Sequence, residues 1–174
     1  MSTTRPYTCL LIVGEWDRLH EGHKYALSKA FELANKVVVV TGLFPEEGHG
    51  DSYFGIMQSW KTRVKNVHDF IESLGYTSRA IFYDHEDTMQ KLLNGPVPTE
   101  IWETIIFSQK DLTNVCMQRN FTSGIQIRQL INKTTKTPVI IDTLRMPDGA
   151  VYSASKLRAR EKMETNPDWW ANRP

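Results

Sequence analysis

Two histidines with a glycine beside the second are the residues of this chain best suited to chemistry. They are His20 and His23, in the stretch GEWDRLHEGH that runs from residue 14 to residue 23. The stretch starts where an apolar run ends and leads into helical periodicity, which places both rings on one face of a helix's first turn. The positive end of the helix dipole and the free N–H groups there attract anions. This corner therefore predicts a site for the phosphates of a nucleotide.

A second set of phosphate-binding residue types lies near the other end of the chain. Ser153, Ser155 and Arg158 belong to the stretch YSASKLR, residues 152–158. Hydroxyls at a helix start can donate to phosphate oxygens alongside free N–H groups, and an arginine one turn later reaches the same oxygens. Alone, this pattern is more typical of a serine-capped surface helix. The first stretch, a domain's length upstream, favours the phosphate site.

The elements that must position these residues follow from hydrophobic periodicity. Apolar runs predict buried parallel strands over residues 7–13 and 36–41, with an amphipathic helix over 22–34 between them. This spacing is typical of a right-handed βαβ unit. Residues 42–58 are predicted to form a long loop. The other predicted elements are helices over 59–74, 87–93, 125–132 and 153–163 and strands over 79–83, 101–108 and 138–143.

Strands that alternate with helices indicate an α/β fold, a Rossmann-like and mostly parallel five-stranded sheet with helices on both faces. Ligands of such sheets bind at the carboxyl ends of the strands, where both stretches lie. The length of 174 residues fits a single domain over residues 1–174.

Composition argues against several classes of partner. The formal net charge of +1 gives no strong field toward nucleic acid or membrane. No apolar run approaches the ~20 residues of a membrane span, and the first residues are too polar for a signal peptide. Cys9 and Cys116 form no C-x-x-C pair and are interpreted as buried free thiols of a reducing compartment. We expect a cytoplasmic protein that binds neither nucleic acid nor membrane.

The two stretches carry a resemblance. Residues 14–23 resemble the G-T-F-D-x-x-H-x-G-H signature of the nucleotidyltransferase superfamily, and residues 152–158 are similar to its second signature, I-S-S-T-x-I-R. Residues 20–42 and 140–163 most resemble the archaeal and eukaryotic type of phosphopantetheine adenylyltransferase. The resemblance implies transfer of AMP from ATP to 4′-phosphopantetheine, giving dephospho-coenzyme A and pyrophosphate, with Mg²⁺ carried by the ATP phosphates. The alternatives are another phosphorylated acceptor, such as nicotinamide mononucleotide or glycerol phosphate, and a catalytically silent nucleotide-binding protein.

The resemblance also assigns roles to residues. His20 and His23 align with the histidines that bind the triphosphate and stabilise the transition state at the α-phosphate, so they are the predicted catalytic residues. The remaining nucleotide-binding candidates are Gly14, Gly22, Lys110, Ser153, Ser155 and Arg158. The acceptor-binding candidates are Glu15, Lys24 and Arg63. We expect Asp17 to anchor the loop or cap the helix. A metal site formed by His20, His23, His49 and Asp51 is the less favoured interpretation of the histidines.

Three departures from the superfamily pattern bear on the acceptor more than on the fold. Glu15 stands where relatives have threonine, and a carboxylate repels phosphate where a hydroxyl would donate. We expect this side chain to turn toward a neighbouring cation. Trp16 replaces phenylalanine. The loop over residues 42–58 lacks the lysine that relatives direct at the phosphates and carries Glu46, Glu47, His49 and Asp51 instead.

Overall fold

A single parallel sheet forms the centre of the structure. The computed structural model describes residues 4–41, 58–83, 114–118 and 138–152, and in addition Leu157, Arg160, Glu161 and Glu164. The strands are β1 (Tyr7–Gly14), β2 (Ala34–Thr41), β3 (Ala80–Tyr83), β4 (Asn114–Gln118) and β5 (Pro138–Ile141). The helices are α1 (Glu21–Leu33) and α2 (Trp60–Ser73), with one-turn 3₁₀ helices at Asp17–Leu19 and Thr77–Arg79. The strand order is β3-β2-β1-β4-β5, and every pairing is parallel.

The sheet order creates a crevice at the end of β1. The chain adds β2 and β3 on one side of β1 and then β4 and β5 on the other. Ligands of open parallel sheets bind where the order reverses in this way, at the carboxyl ends of the strands. Gly14 pairs with Thr41, so β1 and β2 end level with each other. The loop that carries the histidines starts at this point.

The helices cover the sheet through one apolar face each. Helix α1 buries Ala26, Leu27, Ala30 and Phe31, which recur at helical spacing. Helix α2 begins at the cap Ser59, whose hydroxyl accepts from the N–H of Thr62, and it buries Arg63, Val67 and Ile71. The apolar residues among these pack with Leu10, Ile12, Val37 and Val39 of β1 and β2 in one core.

Most of the predicted elements are confirmed. The predictions within two residues of the observed bounds are strands 7–13, 36–41, 79–83 and 138–143 and helices 22–34 and 59–74. Strand β4 was missed, and the strand predicted over 101–108 lies outside the described residues. The helices predicted over 87–93 and 125–132 also lie outside them. Of the last predicted helix, Leu157, Arg160 and Glu161 are described and helical.

Two further expectations concern the cysteines and membrane insertion. Cys9 and Cys116 are buried free thiols, as predicted, and burial raises the pKa of Cys116 to about 12. In the described ranges, no helix has both the length and the apolar character that crossing a bilayer requires.

Candidate nucleotide-binding site

His20 caps the helix whose first turn carries His23. The Nδ1 atom of His20 accepts from the N–H groups of Gly22 at 3.1 Å and His23 at 3.3 Å. An imidazole nitrogen that accepts carries no proton, so the proton of the neutral ring sits on Nε2. His20 therefore orders the helix start with one nitrogen and keeps the other as a hydrogen-bond donor. Both roles follow from the position of His20 directly before the first residue of α1.

The two imidazoles form a stacked pair. Their ring centroids lie 3.7 Å apart with planes 17° from parallel, and the Trp16 ring meets His23 edge-on at 5.4 Å. Burial lowers the pKa of His20 to about 4, against a smaller opposing effect of Asp17 and Glu21. Burial, and secondarily His20, lowers the pKa of His23 to about 3. At neutral pH the corner thus offers two uncharged imidazoles.

The loop between β1 and the helix folds back on itself through left-handed residues. Trp16 and Arg18 have φ of 55° and 54°, a region that a residue with a side chain rarely occupies. The Trp16 Nε1–H donates to the carbonyl oxygen of Val40 at 3.0 Å. A Cβ atom on Gly14 would lie 2.8 Å from the indole ring, so packing against Trp16 requires glycine there. Its predicted contact with the nucleotide stays a prediction.

Asp17 and Gln58 tie this loop to the start of α2. Asp17 is fully buried. Its Oδ1 accepts from the N–H of Gln58 at 2.8 Å, and its Oδ2 accepts from Nη1 of Arg18 at 2.7 Å. The side chain of Gln58 returns the contact, since its Oε1 accepts from the N–H of Arg18 at 2.9 Å. Asp17 has the loop-anchoring role that was expected of it.

Arg63 completes the same junction from inside the protein. Its guanidinium donates from Nη1 to the carbonyl oxygen of Glu15 at 2.7 Å and from Nε to that of Gln58 at 2.9 Å. The side chain is completely buried, so it presents no surface to an acceptor. Its contacts are those of a positioning residue, and they do not support the acceptor-binding role predicted for it. They place the backbone of Glu15 instead.

Tyr152, the first residue of the second stretch, packs against the histidine stretch beside Gly22. The Tyr152 ring stacks on His20 with centroids 5.8 Å apart and planes 19° from parallel. A Cβ atom on Gly22 would lie 2.9 Å from Cβ of Tyr152, so the glycine is what lets the second stretch approach the helix start. Beyond Tyr152, Glu161 of the C-terminal helix holds Arg18 in the histidine loop. The structure therefore brings Tyr152, the first residue of the second stretch, to the histidine corner at the crevice of the sheet.

The chain is similar to known proteins over part of its length. No protein-family model matches the chain. The phosphopantetheine adenylyltransferase of Thermococcus kodakarensis is 35% identical over 81 residues, which are 47% of this chain and 48% of that protein. The matched region therefore spans about half of the relative's length.

Solved structures extend the comparison over the whole sheet. A Vibrio parahaemolyticus protein described as a nicotinate-nucleotide adenylyltransferase has a TM-score of 0.54 at 10% identity and covers 91% of this chain and 88% of its own. The chain has the nucleotidyltransferase fold. Pantoate-β-alanine ligase from Francisella tularensis shares it, with a TM-score of 0.56 at 16% identity over 99% of this chain and 74% of its own. The fold alone thus does not specify the acceptor.

The remaining predicted residues of the candidate site have mixed outcomes. Lys24 is partly exposed, 3.4 Å from the carboxylate of Glu21 and over the Phe70 ring at 5.8 Å. It lines a shallow groove of about 510 Å³ between α1 and α2. Arg63 donates to the backbone carbonyl oxygen of Glu15, and the expectation that the Glu15 side chain turns toward a cation stays a prediction. Four candidates lie outside the described residues: Lys110, Ser153, Ser155 and Arg158.

The arrangement of the histidines does not suit a metal ion. Stacked rings direct their in-plane lone pairs side by side instead of toward one point, and Nδ1 of His20 is already in use. Within the described ranges, no three His, Cys, Asp or Glu side chains are grouped as metal ligands would be. His49 and Asp51 of the alternative metal site lie outside these ranges.

Three contributors to the corner were missed from the sequence. Gln58 stands at the end of a long loop and belongs to no motif, so nothing marked it. Arg18 occupies an unspecified position of the signature, and Glu161 follows the second stretch among other charges. The signal available for Arg18 was a charged residue directly after Asp17, because an arginine beside a buried aspartate tends to bind that carboxylate.

Proposed function

We propose that the chain is a nucleotidyltransferase that moves the AMP group of ATP onto the phosphate of an acceptor, and that this acceptor is 4′-phosphopantetheine. The products are dephospho-coenzyme A and pyrophosphate, as in coenzyme A biosynthesis. The partial similarity to a phosphopantetheine adenylyltransferase supports the acceptor, and the nucleotidyltransferase fold supports the reaction class. The partners are then ATP and a phosphorylated small molecule.

The proposed step requires alignment more than covalent chemistry. An oxygen of the acceptor phosphate attacks the α-phosphorus in line and forms a new P–O bond. The bond from that phosphorus to the bridging oxygen breaks, and pyrophosphate leaves with the electron pair. The protein must hold two anions together and stabilise the charge that develops on the equatorial oxygens. Neutral N–H donors and helix N-termini suit this task.

The observation that carries the proposal is the meeting of Tyr152, His20 and His23 at the start of α1. His20 would donate from Nε2 to the triphosphate, and His23 would donate to the α-phosphate oxygens within the first turn. Both imidazoles are uncharged at neutral pH, so the corner binds an anion through hydrogen bonds and the helix dipole. Ser153, Ser155 and Arg158 follow Tyr152 in the sequence and are proposed to bind the β- and γ-phosphates.

We place Mg²⁺ on the phosphates of ATP in this proposal. The donors of the corner are imidazoles and backbone N–H groups, which bind phosphate oxygens, whereas Mg²⁺ prefers oxygen ligands and retains several waters. When bound, the ion would neutralise charge on the departing pyrophosphate. We expect the protein to work in the cytoplasm without nucleic acid or membrane partners.

A pyrophosphate-release assay across acceptors tests the proposal. Purified full-length chain with ATP and Mg²⁺ is offered phosphopantetheine, nicotinamide mononucleotide or glycerol phosphate, and unphosphorylated pantetheine serves as the matched control. Release that requires the phosphorylated form of pantetheine is the expected result. Release with another acceptor only would replace the substrate but keep the reaction. ATP binding without release from any acceptor would indicate a silent nucleotide-binding protein.

A further inference from the structure

Among the described residues, an arginine–carboxylate pair links the C-terminal helix to the histidine loop. Arg18 donates from Nε to Oε1 of Glu161 at 3.0 Å and from Nη2 to Oε2 at 2.8 Å, a two-pronged geometry. The partners lie far apart in the sequence, and Arg18 also holds Asp17. Arg18 is 15% exposed and Glu161 54% exposed. The pair therefore links a nearly buried loop residue to a surface position on the C-terminal helix.

This contact differs from the other anchors of the loop. The loop reaches the sheet and α2 through Trp16, Asp17 and the buried Arg63, whose partners are backbone or buried polar groups. On the side of the C-terminal helix, the described contacts are the Tyr152 ring on His20 and the Glu161 carboxylate on Arg18. Solvent can reach that carboxylate, so the attachment on this side is the one that salt weakens.

We propose that Arg18 and Glu161 are a positioning pair that holds the C-terminal helix against the histidine corner and thereby supports ATP binding there. The inference rests on the proposed function, because it takes ATP to bind at this corner. It assigns Glu161 itself no contact with ATP. Glu161 lies three residues after Arg158 in the sequence, on the segment proposed to bind the β- and γ-phosphates. Arg18 is two residues before His20, the proposed donor to the same triphosphate. Holding Arg18 by Glu161 thus holds the C-terminal helix against the loop that carries His20.

The left-handed backbone of Arg18 fits this role. A residue with a side chain adopts φ near 54° only when the surroundings stabilise it. The N–H of Arg18 is held by Gln58, and its side chain by Asp17 and Glu161. The contact with Gln58 fixes the backbone from which the Arg18 side chain extends. The carboxylates of Asp17 and Glu161 fix the position of its guanidinium. Arg18 is therefore pre-organised to receive a carboxylate from the C-terminal helix.

The test compares three single variants in the full-length chain. Glu161→Gln removes the charge with little change of shape, and Glu161→Asp keeps the charge on a shorter stem. Glu164→Gln is the matched control, since it removes an exposed glutamate from the same helix. Calorimetry gives the Kd of ATP with Mg²⁺ at low and high salt, and steady-state kinetics give kcat and the KM for ATP.

We expect Glu161→Gln to raise the Kd and KM for ATP about fivefold at low salt, with kcat nearly unchanged. Glu161→Asp should recover part of the loss, and Glu164→Gln should match the wild type. Added salt should narrow the gap between Glu161→Gln and the wild type, because it screens the pair. A purely structural role would lower the unfolding temperature and leave the Kd of ATP unchanged.

Two results overturn the inference in different ways. If the wild type binds ATP and Glu161→Gln binds it equally well, the pair does not position the phosphate site, while the proposed function stands. If the wild type binds no ATP under any condition, the proposed function fails and the inference fails with it. An equal loss in Glu161→Gln and Glu164→Gln would reduce the effect to general surface charge and also contradict the pairing.

Discussion

The two ends of α1 are both closed by side chains, but the closures do different work. At the amino end, His20 accepts two backbone N–H groups through one ring nitrogen and keeps the other as a donor. At the carboxyl end, Arg79 donates to the carbonyl oxygens of Phe31, Ala34 and Asn35, and it lies over the Tyr76 ring at 4.7 Å. Phe31 lies in the last turn of α1, where helix carbonyls lack a partner within the helix, and Ala34 and Asn35 are the first residues of β2. The contacts of His20 order the candidate site, whereas those of Arg79 stabilise the fold.

Arginines make the same contrast. Arg63 and Arg79 both donate to backbone carbonyls, but those of Arg63 belong to the two loops that form the candidate site. A similar type of contact therefore acts on function at one end of the fold and on stability at the other. Substitutions matched across the two ends can separate these effects.

The largest expected effect is at His23. His23→Ala should lower kcat for AMP transfer by about 10² to 10³, since one donor to the transition state is removed. His68→Ala is the matched control, because His68 also stacks on an aromatic ring, that of Phe82 at 3.6 Å, but on α2. Pyrophosphate release measures both. Turnover of His23→Ala close to that of the wild type would remove the catalytic assignment.

The next effect separates the two arginines. Arg63→Lys should lower kcat/KM about tenfold, because one ammonium cannot hold both loop carbonyls as the guanidinium does. Arg79→Lys should lower the free energy of unfolding by about 1 kcal/mol and leave kcat/KM unchanged. Kinetics and denaturant unfolding on each variant check this pair. A kinetic defect in Arg79→Lys as large as that of Arg63→Lys would erase the contrast between the ends.

A third prediction concerns pH. Burial lowers the pKa of His20 to about 4 and of His23 to about 3, both below the ordinary 6.5. The unfolded chain thus binds more protons than the folded chain below pH 6.5, and the free energy of unfolding should fall as the pH drops from there toward 4. Above pH 6.5 these groups contribute no pH dependence.

The variant that isolates this effect is His20→Asn, because asparagine is a good helix cap that does not titrate. Denaturant unfolding at pH 7 and pH 5 should show a smaller loss for His20→Asn than for the wild type. His68→Asn is the control. A loss as large in His20→Asn as in the wild type would mean that other groups cause the pH dependence.

The smallest effect is expected at Glu15. Glu15→Thr should keep or modestly raise activity with phosphopantetheine, because Arg63 holds the backbone carbonyl of this residue and that contact survives the substitution. Threonine also exchanges a repelling carboxylate for a donor. Activities with all three acceptors measure the change. A loss confined to phosphopantetheine would show that the Glu15 side chain matters for that acceptor.

The sequence predicted the regular elements better than the loops that join them. A continuous run of four valines marks β2, the apolar residues of α1 and α2 recur at helical spacing, and each element was located within two residues. Strand β4, Asn114–Gln118, was missed because it is short and mixed in polarity. A strand was predicted over the more apolar segment 101–108, which lies outside the described residues.

The histidine corner divides in the same way. Although their binding and catalytic roles stay predictions, the positions of His20, Gly22 and His23 at a helix start could be predicted from spacing. The left-handed Trp16 and Arg18 could not, because such backbone angles depend on the contacts with Val40, Gln58 and Glu161 that stabilise them. These partners are remote in sequence. Arg63 was predicted to bind the acceptor, although its side chain is buried and donates to two backbone carbonyls.

The end of β2 carries its own optical reporters. The indole N–H groups of Trp16 and Trp60 donate to the carbonyl oxygens of Val40 and Thr41, the last two residues of the strand. Indole emission responds to hydrogen bonding and to nearby charge. Because the Trp16 ring also meets His23 edge-on, its fluorescence will change when an anion or a proton reaches that histidine. Trp16 fluorescence can therefore test for binding at the corner without an added label.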